Sequence, residues 1–343
     1  AQQGMGPHGL IIGATGSGKS EVLRTLVLAL ALTHSSEDLN FVLVDFKGGA
    51  TFAGMADMPH VSAIITNLGE ELTLVDRMQD ALQGEMVRRQ ELLRAAGNFA
   101  NVADYEKARR TDRPDLQPLP ALLIVADEFS ELLAAKPEFV DLFVAIGRLG
   151  RSLQMPLLLS SQRLEEGRLR GLESHLSYRI GLRTFSASES RAVLGVPDAY
   201  ELPPVPGVGY LKPDPTTMIQ FRASYVSGPP KARRRTAAGT GPVATGRARL
   251  ESFTAAPVLT AAAGRDEPDE PDLDDDDEKR ATFDIAVSLM RGQGPAAHQV
   301  WLPPLVVPET FDRLMPDLAV DPQLGLVSRG WREAGALTFP LGI

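Results

Sequence analysis

Across residues 1–227, short and mainly apolar runs alternate with longer stretches in which apolar residues return every three or four positions. The runs GLII (9–12), NFVLVDF (40–46), ALLIVA (121–126), PLLLSS (156–161) and YRIGLRT (178–184) have strand length and mostly lack a polar face. Strands of that kind are buried on both sides, as in a parallel sheet covered by helices. The periodic stretches predict helices over about 18–33, 70–96 and 137–153, the second with Leu72, Val75, Leu82 and Leu93 among its apolar positions. SASE (186–189) is a capping box for a short helix ending at Leu194, with Gly195 as its stop. A Pro-rich turn, ELPPVPGVG, then leads to a hairpin ending near Tyr225. This is the pattern of an α/β domain with a mainly parallel sheet flanked by helices.

From Gly228 the pattern lapses. The next fifty residues are rich in Ala, Gly, Pro and runs of one charge, a composition that predicts disorder over 231–277. Periodicity returns in EKRATFDIAVSLMRGQG, a helix with Phe283, Val287 and Met290 on one face, followed by an extended HQVWLPPLVVP expected to dock Trp301 and Leu302. The chain thus divides into an α/β domain (1–227), a linker (228–277) and a helix plus extended segment (278–343). It begins at Ala1 and stops at ALTFPLGI, which reads as a piece of a longer chain.

Charge and composition narrow the function classes. The net charge is −9, but ten acids lie in 266–278; without that run the chain carries +1, so no strong basic field draws in a polyanion. There is no cysteine, hence no disulfide or thiolate metal site, which fits a reducing compartment. The longest apolar run, LVLALAL (26–32), is far short of the ~20 residues that cross a bilayer.

The sharpest chemistry is GATGSGKS, residues Gly13, Ala14, Thr15, Gly16, Ser17, Gly18, Lys19 and Ser20, placed between a strand and a helix. Its glycines let successive N–H groups turn around phosphate oxygens, and the start of the following helix points its positive end at the same anion. Lys19 adds a charge for the β/γ phosphates, and the Ser20 hydroxyl is a hard oxygen ligand for Mg²⁺. The strand LLIVADEF ends in Asp127 and Glu128. Strand alternation sends the two carboxylates in different directions, Asp127 to the Mg²⁺ shell through water or from just outside it, and Glu128 to an attacking water as general base. DFKG (45–48) fits a GTPase D-x-x-G, but the chain has no N-K-x-D-like guanine reader, and a Glu beside the strand-end Asp is an ATPase trait.

SSQR (160–163) closes the next strand; Gln162 either senses the γ-phosphate and orients water or simply caps the strand. On the helix before it, Phe139, Phe143, Ile146 and Leu153 share one side, and Arg148 and Arg151 fall on the other. Exposed helix arginines are mostly solvated. This pair, however, lies between the acidic strand and the Ser-Gln strand, the edge that in ring ATPases faces a neighbour's nucleotide. Arg151, with Arg148 as second choice, is the candidate for a guanidinium supplied in trans.

GMGPHGLIIGATGSGKSE, VLVDFKGGATF, LLIVADEFSELL, the long stretch from GRLGRSLQM to SRAVLG, and HQVWLPPL together resemble the FtsK/SpoIIIE superfamily of ring ATPases. Most closely they resemble the first ATPase domain of the type VII (ESX) secretion ATPases. The resemblance implies a RecA-like fold, ATP with Mg²⁺, and Glu128, Arg151 and Lys19 as catalytic groups. It also implies a hexameric ring with adjoining ATPase domains, contacts with the secretion system's membrane components, and export of WXG-type (Esx) and PE/PPE-like proteins. The expected place is the cytoplasmic side of a membrane, with transmembrane helices upstream. Two other readings stay open: a DNA translocase, disfavoured by the near-neutral core, and an ATP-binding module held off by its linker. An arginine needed from a partner predicts weak or silent turnover by the isolated chain.

Overall fold

The computed structural model describes residues 5–48, 51–66, 72–163, 171–230, 280–302 and 318–328. Among them, eight strands form one sheet. They are β1 (Gly9–Ile12), β2 (Leu39–Asp45), β3 (Val61–Ile65), β4 (Ala121–Asp127), β5 (Leu157–Ser161), β6 (Tyr178–Leu182), β7 (Val208–Lys212) and β8 (Ile219–Arg222). Their spatial order is β3-β2-β4-β5-β1-β6-β7-β8; the first six are parallel, and β7 and β8 add an antiparallel hairpin. β1, β2 and β5 are buried along their whole length, as their largely apolar sequences predict, the polar residues Asn40, Asp45, Ser160 and Ser161 included.

The expected helices appear as α1 (Lys19–Thr33), α2 (Leu72–Ala95) and, near the acidic and Ser-Gln strands, α5 (Val140–Leu149). Val75, Leu82 and Leu93 of α2 are buried as expected. Within residues 5–300, β3, α3 (Val102–Thr111) and α4 (Phe129–Ala135) have no counterpart in the sequence reading. The helix expected over 137–153 is shorter. It opens as a single 3-10 turn and stops at Leu149, so Arg151 sits in the following turn and not on the helix. At Gly150 a side-chain Cβ would lie 2.5 Å from the carbonyl oxygens of Ile146 and Met155, and the chain reverses through Gln154 at φ 48°. The capped helix is α6 (Ala187–Leu194): Ser186 accepts from the Glu189 N–H, and Gly195 closes it at φ 82°.

The first compact unit runs to Val300. Its core includes the expected late helix, α7 (Thr282–Met290), whose Phe283, Val287 and Met290 are buried in the cluster formed by Val22, Val27, Met55 and Met58. The following residues lie along the sheet edge, where Ala297 donates to the Pro59 carbonyl at 2.8 Å and Val300 to that of Ser62 at 3.3 Å. The second unit begins at Trp301; its described part includes an antiparallel hairpin, β9 (Leu318–Asp321) and β10 (Gly325–Ser328). Leu302, expected to dock, keeps 64% of its surface exposed. The expected disorder over 231–277 lies outside the described residues. No helix among the described residues is long and apolar enough to cross a membrane.

Candidate active site

Four adjacent strands, β2, β4, β5 and β1, end together, and a ligand site is expected at such carboxyl ends. The register pairs Asp45 with Asp127, Asp127 with Ser160, and Ile12 with Ser161, so three polar strand tips surround the start of the loop Gly13–Ser20. Gly16 and Gly18 take left-handed φ values of 80° and 89°, and a Cβ on Gly18 would lie 2.5 Å from the Gly207 nitrogen. The loop needs both glycines: one for the turn, the other for a close backbone neighbour. The buried Ser17 Oγ has no hydrogen-bond partner among the described residues.

Lys19, the first residue of α1, is 6% exposed and lies in a nest of oxygens. Its Nζ pairs with Asp127 Oδ1, with Glu128 Oε1 at 2.9 Å, and donates to Ser160 Oγ at 3.2 Å. Ser160 in turn donates to Asp127 Oδ1 at 2.8 Å. The expectation that the two acids diverge is corrected here, since both reach Lys19. Alternation does not apply to Glu128, because it has left the strand: its φ of 57° and ψ of 38° are left-handed, and it starts α4. That conformation costs a non-glycine residue about 1–3 kcal/mol, and it turns the carboxylate back toward the phosphate loop.

The other Asp127 oxygen faces a second set of hydroxyls. Thr51 Oγ1 donates to Asp127 Oδ2 at 3.0 Å and lies 3.4 Å from Ser20 Oγ. Asp45 builds this approach: its carboxylate accepts from the Lys47 N–H at 3.0 Å and the Thr51 N–H at 3.3 Å, folding the loop after β2 inward. The D-x-x-G weighed as a GTPase element is thus a loop brace. Ser20, Thr51 and Asp127 form a small group of hard oxygens, the donor set Mg²⁺ prefers when phosphates and water complete its shell. No cluster of three or more His, Cys, Asp or Glu that could hold a metal occurs among the described residues.

Thr15 Oγ1 donates to Gln162 Oε1 at 2.7 Å, so Gln162 lies against the phosphate loop. The buried serine that joins the cluster is Ser160, while the Ser161 carbonyl accepts from the Gly13 N–H at 3.3 Å. Beside Ala14 and Thr15 opens a cleft of about 400 Å³ lined also by Arg183, Phe185, Tyr200 and Pro204. Phe185 and Tyr200 are nearly half exposed there, and Arg163 stacks over the Phe185 ring at 4.9 Å. Sequence reasoning did not find Thr51, Ser160, Phe185 or Tyr200. Thr51 and Ser160 had a signal, as polar residues at or just past the ends of apolar strands.

Arg148 and Arg151 are exposed, and neither forms an ion pair with any described residue. Arg151 precedes β5, so that strand's length of ~16 Å separates it from its own phosphate loop. Within one chain the two arginines and the acid cluster are not brought together.

Residues 1–166 match the model of the FtsK/SpoIIIE family. The chain is 59% identical over its whole length to the ESX secretion system protein EccC of Thermomonospora curvata. It is 54% identical, again over its whole length, to the ESX-4 secretion system protein EccC4 of Mycobacterium tuberculosis. It spans about a quarter (26%) of each of these relatives. The structure of the cytoplasmic domain of the T. curvata type VII secretion ATPase EccC superposes with a TM-score of 0.77, covering 96% of this chain and 33% of that one at 59% identity.

Proposed function

Since residues 1–166 are an FtsK/SpoIIIE-family domain, we propose that the chain binds ATP with Mg²⁺ and hydrolyses it as one ATPase domain of a ring-forming secretion motor. The observation that carries this reading is the junction of Lys19, Asp127, Glu128, Thr51 and Ser160 against the loop Gly13–Ser20.

In this reading the loop amides and Lys19 hold the β/γ phosphates, for which Lys19 exchanges its carboxylate partners. Ser20, Thr51 and Asp127 would hold Mg²⁺, directly or through water, and when bound the ion would supply positive charge against the phosphate oxygens. Glu128 accepts a proton from the attacking water, and Gln162 orients that water or senses the γ-phosphate. The base lies in the cleft between Phe185 and Tyr200. Arg151, or failing it Arg148, completes a neighbour's site, a contribution worth ~10³–10⁵ in turnover.

Homology to the EccC proteins supports assignment to type VII secretion. The finer proposals are a hexameric ring on the cytoplasmic side of the membrane, contact with the system's membrane components and adjoining ATPase domains, and export of WXG-type and PE/PPE-like proteins. The division at 228–277 is proposed as the linker to those domains. A DNA-translocase reading predicts duplex binding that falls steeply with log[salt]; the near-neutral core favours the absence of such binding.

The test is Glu128→Gln. ATP binding should stay within about threefold of wild type, and turnover by the assembled protein should fall by ~10²–10⁴. A Glu128→Gln protein with turnover near wild type removes the general-base role.

A further inference from the structure

The turn that carries Arg151 is tied down at almost every backbone group. Gly150 N–H donates to Ile146 O at 2.6 Å and Leu153 N–H to Leu149 O at 2.9 Å. The Ser152 carbonyl accepts from Val102 N–H and the Gln154 carbonyl from Leu122 N–H, each at 2.8 Å. The Leu153 carbonyl accepts from Arg89 Nη1 at 2.9 Å. Arg89 is 2% exposed, and its Nε rests on Glu85 Oε1 at 2.7 Å. A guanidinium is costly to bury, and this one uses its reach on a carbonyl two residues past Arg151.

The other face of the turn rests on His8, which is 1% exposed. Its Nδ1 accepts the Leu157 N–H at 3.1 Å, where β5 begins. Its Cε1 fills the space of a missing side chain, 2.6 Å from where a Gly150 Cβ would lie. One turn earlier, His175 Cγ stands 2.8 Å from the Cβ position of Gly147. In GRLGR each glycine therefore admits a histidine inward, and the arginine after it faces solvent. Burial, the neighbouring His175 and the Arg151 charge hold His8 down at about 4 against the opposing Gly147 carbonyl, so no cation sits beneath Arg151. His8 also leads directly into β1, whose four residues run to Ile12, just before Gly13 of the phosphate loop.

We infer that His8 and Arg89 are positioning residues for Arg151, fixing the turn that presents it to a neighbouring subunit's nucleotide. The inference rests on the reading of Arg151 as a group acting in trans. It makes β1 a four-residue link between the seat of the arginine offered to the neighbour and this chain's own phosphate loop.

The test is a double-mutant cycle on ATP turnover, measured over a range of protein concentrations. His8→Ala and Arg89→Lys, which keeps the charge but shortens the reach to Leu153, should each lower kcat of the assembled protein ~10–100-fold. KM and the monomer's affinity for ATP should stay within twofold. His8→Asn, which keeps an acceptor for Leu157 N–H, should recover most of the loss. In an Arg151→Ala background the same changes should alter kcat less than twofold, because they act through the missing group. Equal losses in both backgrounds, or kcat within twofold of wild type in the single variants, overturn the positioning role while leaving Arg151 its own. A wild-type rate independent of concentration, or an undiminished Arg151→Ala, overturns the trans reading instead. Should His8→Ala fail to fold, Arg89→Lys carries the cycle alone.

Discussion

Lys19 and Thr51 make the site at the scale of single residues, and they differ in how they can be read. Lys19, Ser20, Asp127 and Glu128 are legible as site candidates because each belongs to a contiguous motif at a strand end or helix start, whereas Gln162 was open between two readings. Thr51 is not, because it arrives through a loop folded by Asp45 and meets Asp127 across 76 residues of sequence. Loss of Thr51 Oγ1 should weaken the Mg²⁺ side alone. Thr51→Val is expected to raise the Mg²⁺ concentration for half-maximal turnover several-fold, measured by Mg²⁺ titration at saturating ATP. Lys19 carries structural weight as well. Removing it strands two carboxylates that are each about 95% buried. Lys19→Ala should therefore lose ATP binding and also about 3–5 kcal/mol of stability, read from urea unfolding of the nucleotide-free protein. A fall in affinity without a fall in urea midpoint would show that the buried pairs contribute nothing net. At the base cleft, Tyr200→Ala should weaken ATP binding by the ~1–3 kcal/mol of one stacking contact, measured by calorimetry.

At the scale of elements, the long parallel strands and α1, α2 and α6 were legible because their apolar periods are complete or their caps explicit. α4 was hidden because it is only seven residues long and starts from a left-handed Glu128 with no side-chain cap. α3 buries only Val102 and Tyr105, too few positions to set a helical period. The end of α5 was misplaced because the apolar phase continues to Leu153 while close backbone contacts at Gly150 stop the helix. α7 shows the reverse: its phase was clear, and its place was not. Phe283 is 6% exposed within the same core as α1. Phe283→Ala should cost the first unit about 3–5 kcal/mol, seen as a lower urea midpoint with an unchanged slope. An unchanged midpoint would mean that α7 does not contribute to that unit's stability.

For the molecule as a whole, pH is a further lever. Burial holds His8 at about 4 and pushes His60 below its ordinary 6.5, so the folded chain keeps both neutral where an unfolded chain would protonate them. Stability from these groups is complete above pH 6.5 and is lost as pH falls toward 4. By linkage His8 alone accounts for about 2 kcal/mol between pH 7 and pH 5. A urea midpoint that rises over that interval would contradict the assignment, and His8→Asn should flatten the dependence.

The position of α7 also bears on how the chain is made. A ribosome delivers β8 about sixty residues before α7. At ~5–20 residues per second that gap lasts several seconds. For that interval the nascent sheet is finished while the apolar face around Val22, Val27 and Met55 still waits for its cover. Synthesis speed through residues 223–281 thus sets how long a nearly complete nucleotide-binding domain carries a sticky surface, and slowing translation there should favour chaperone capture or aggregation over release of native protein.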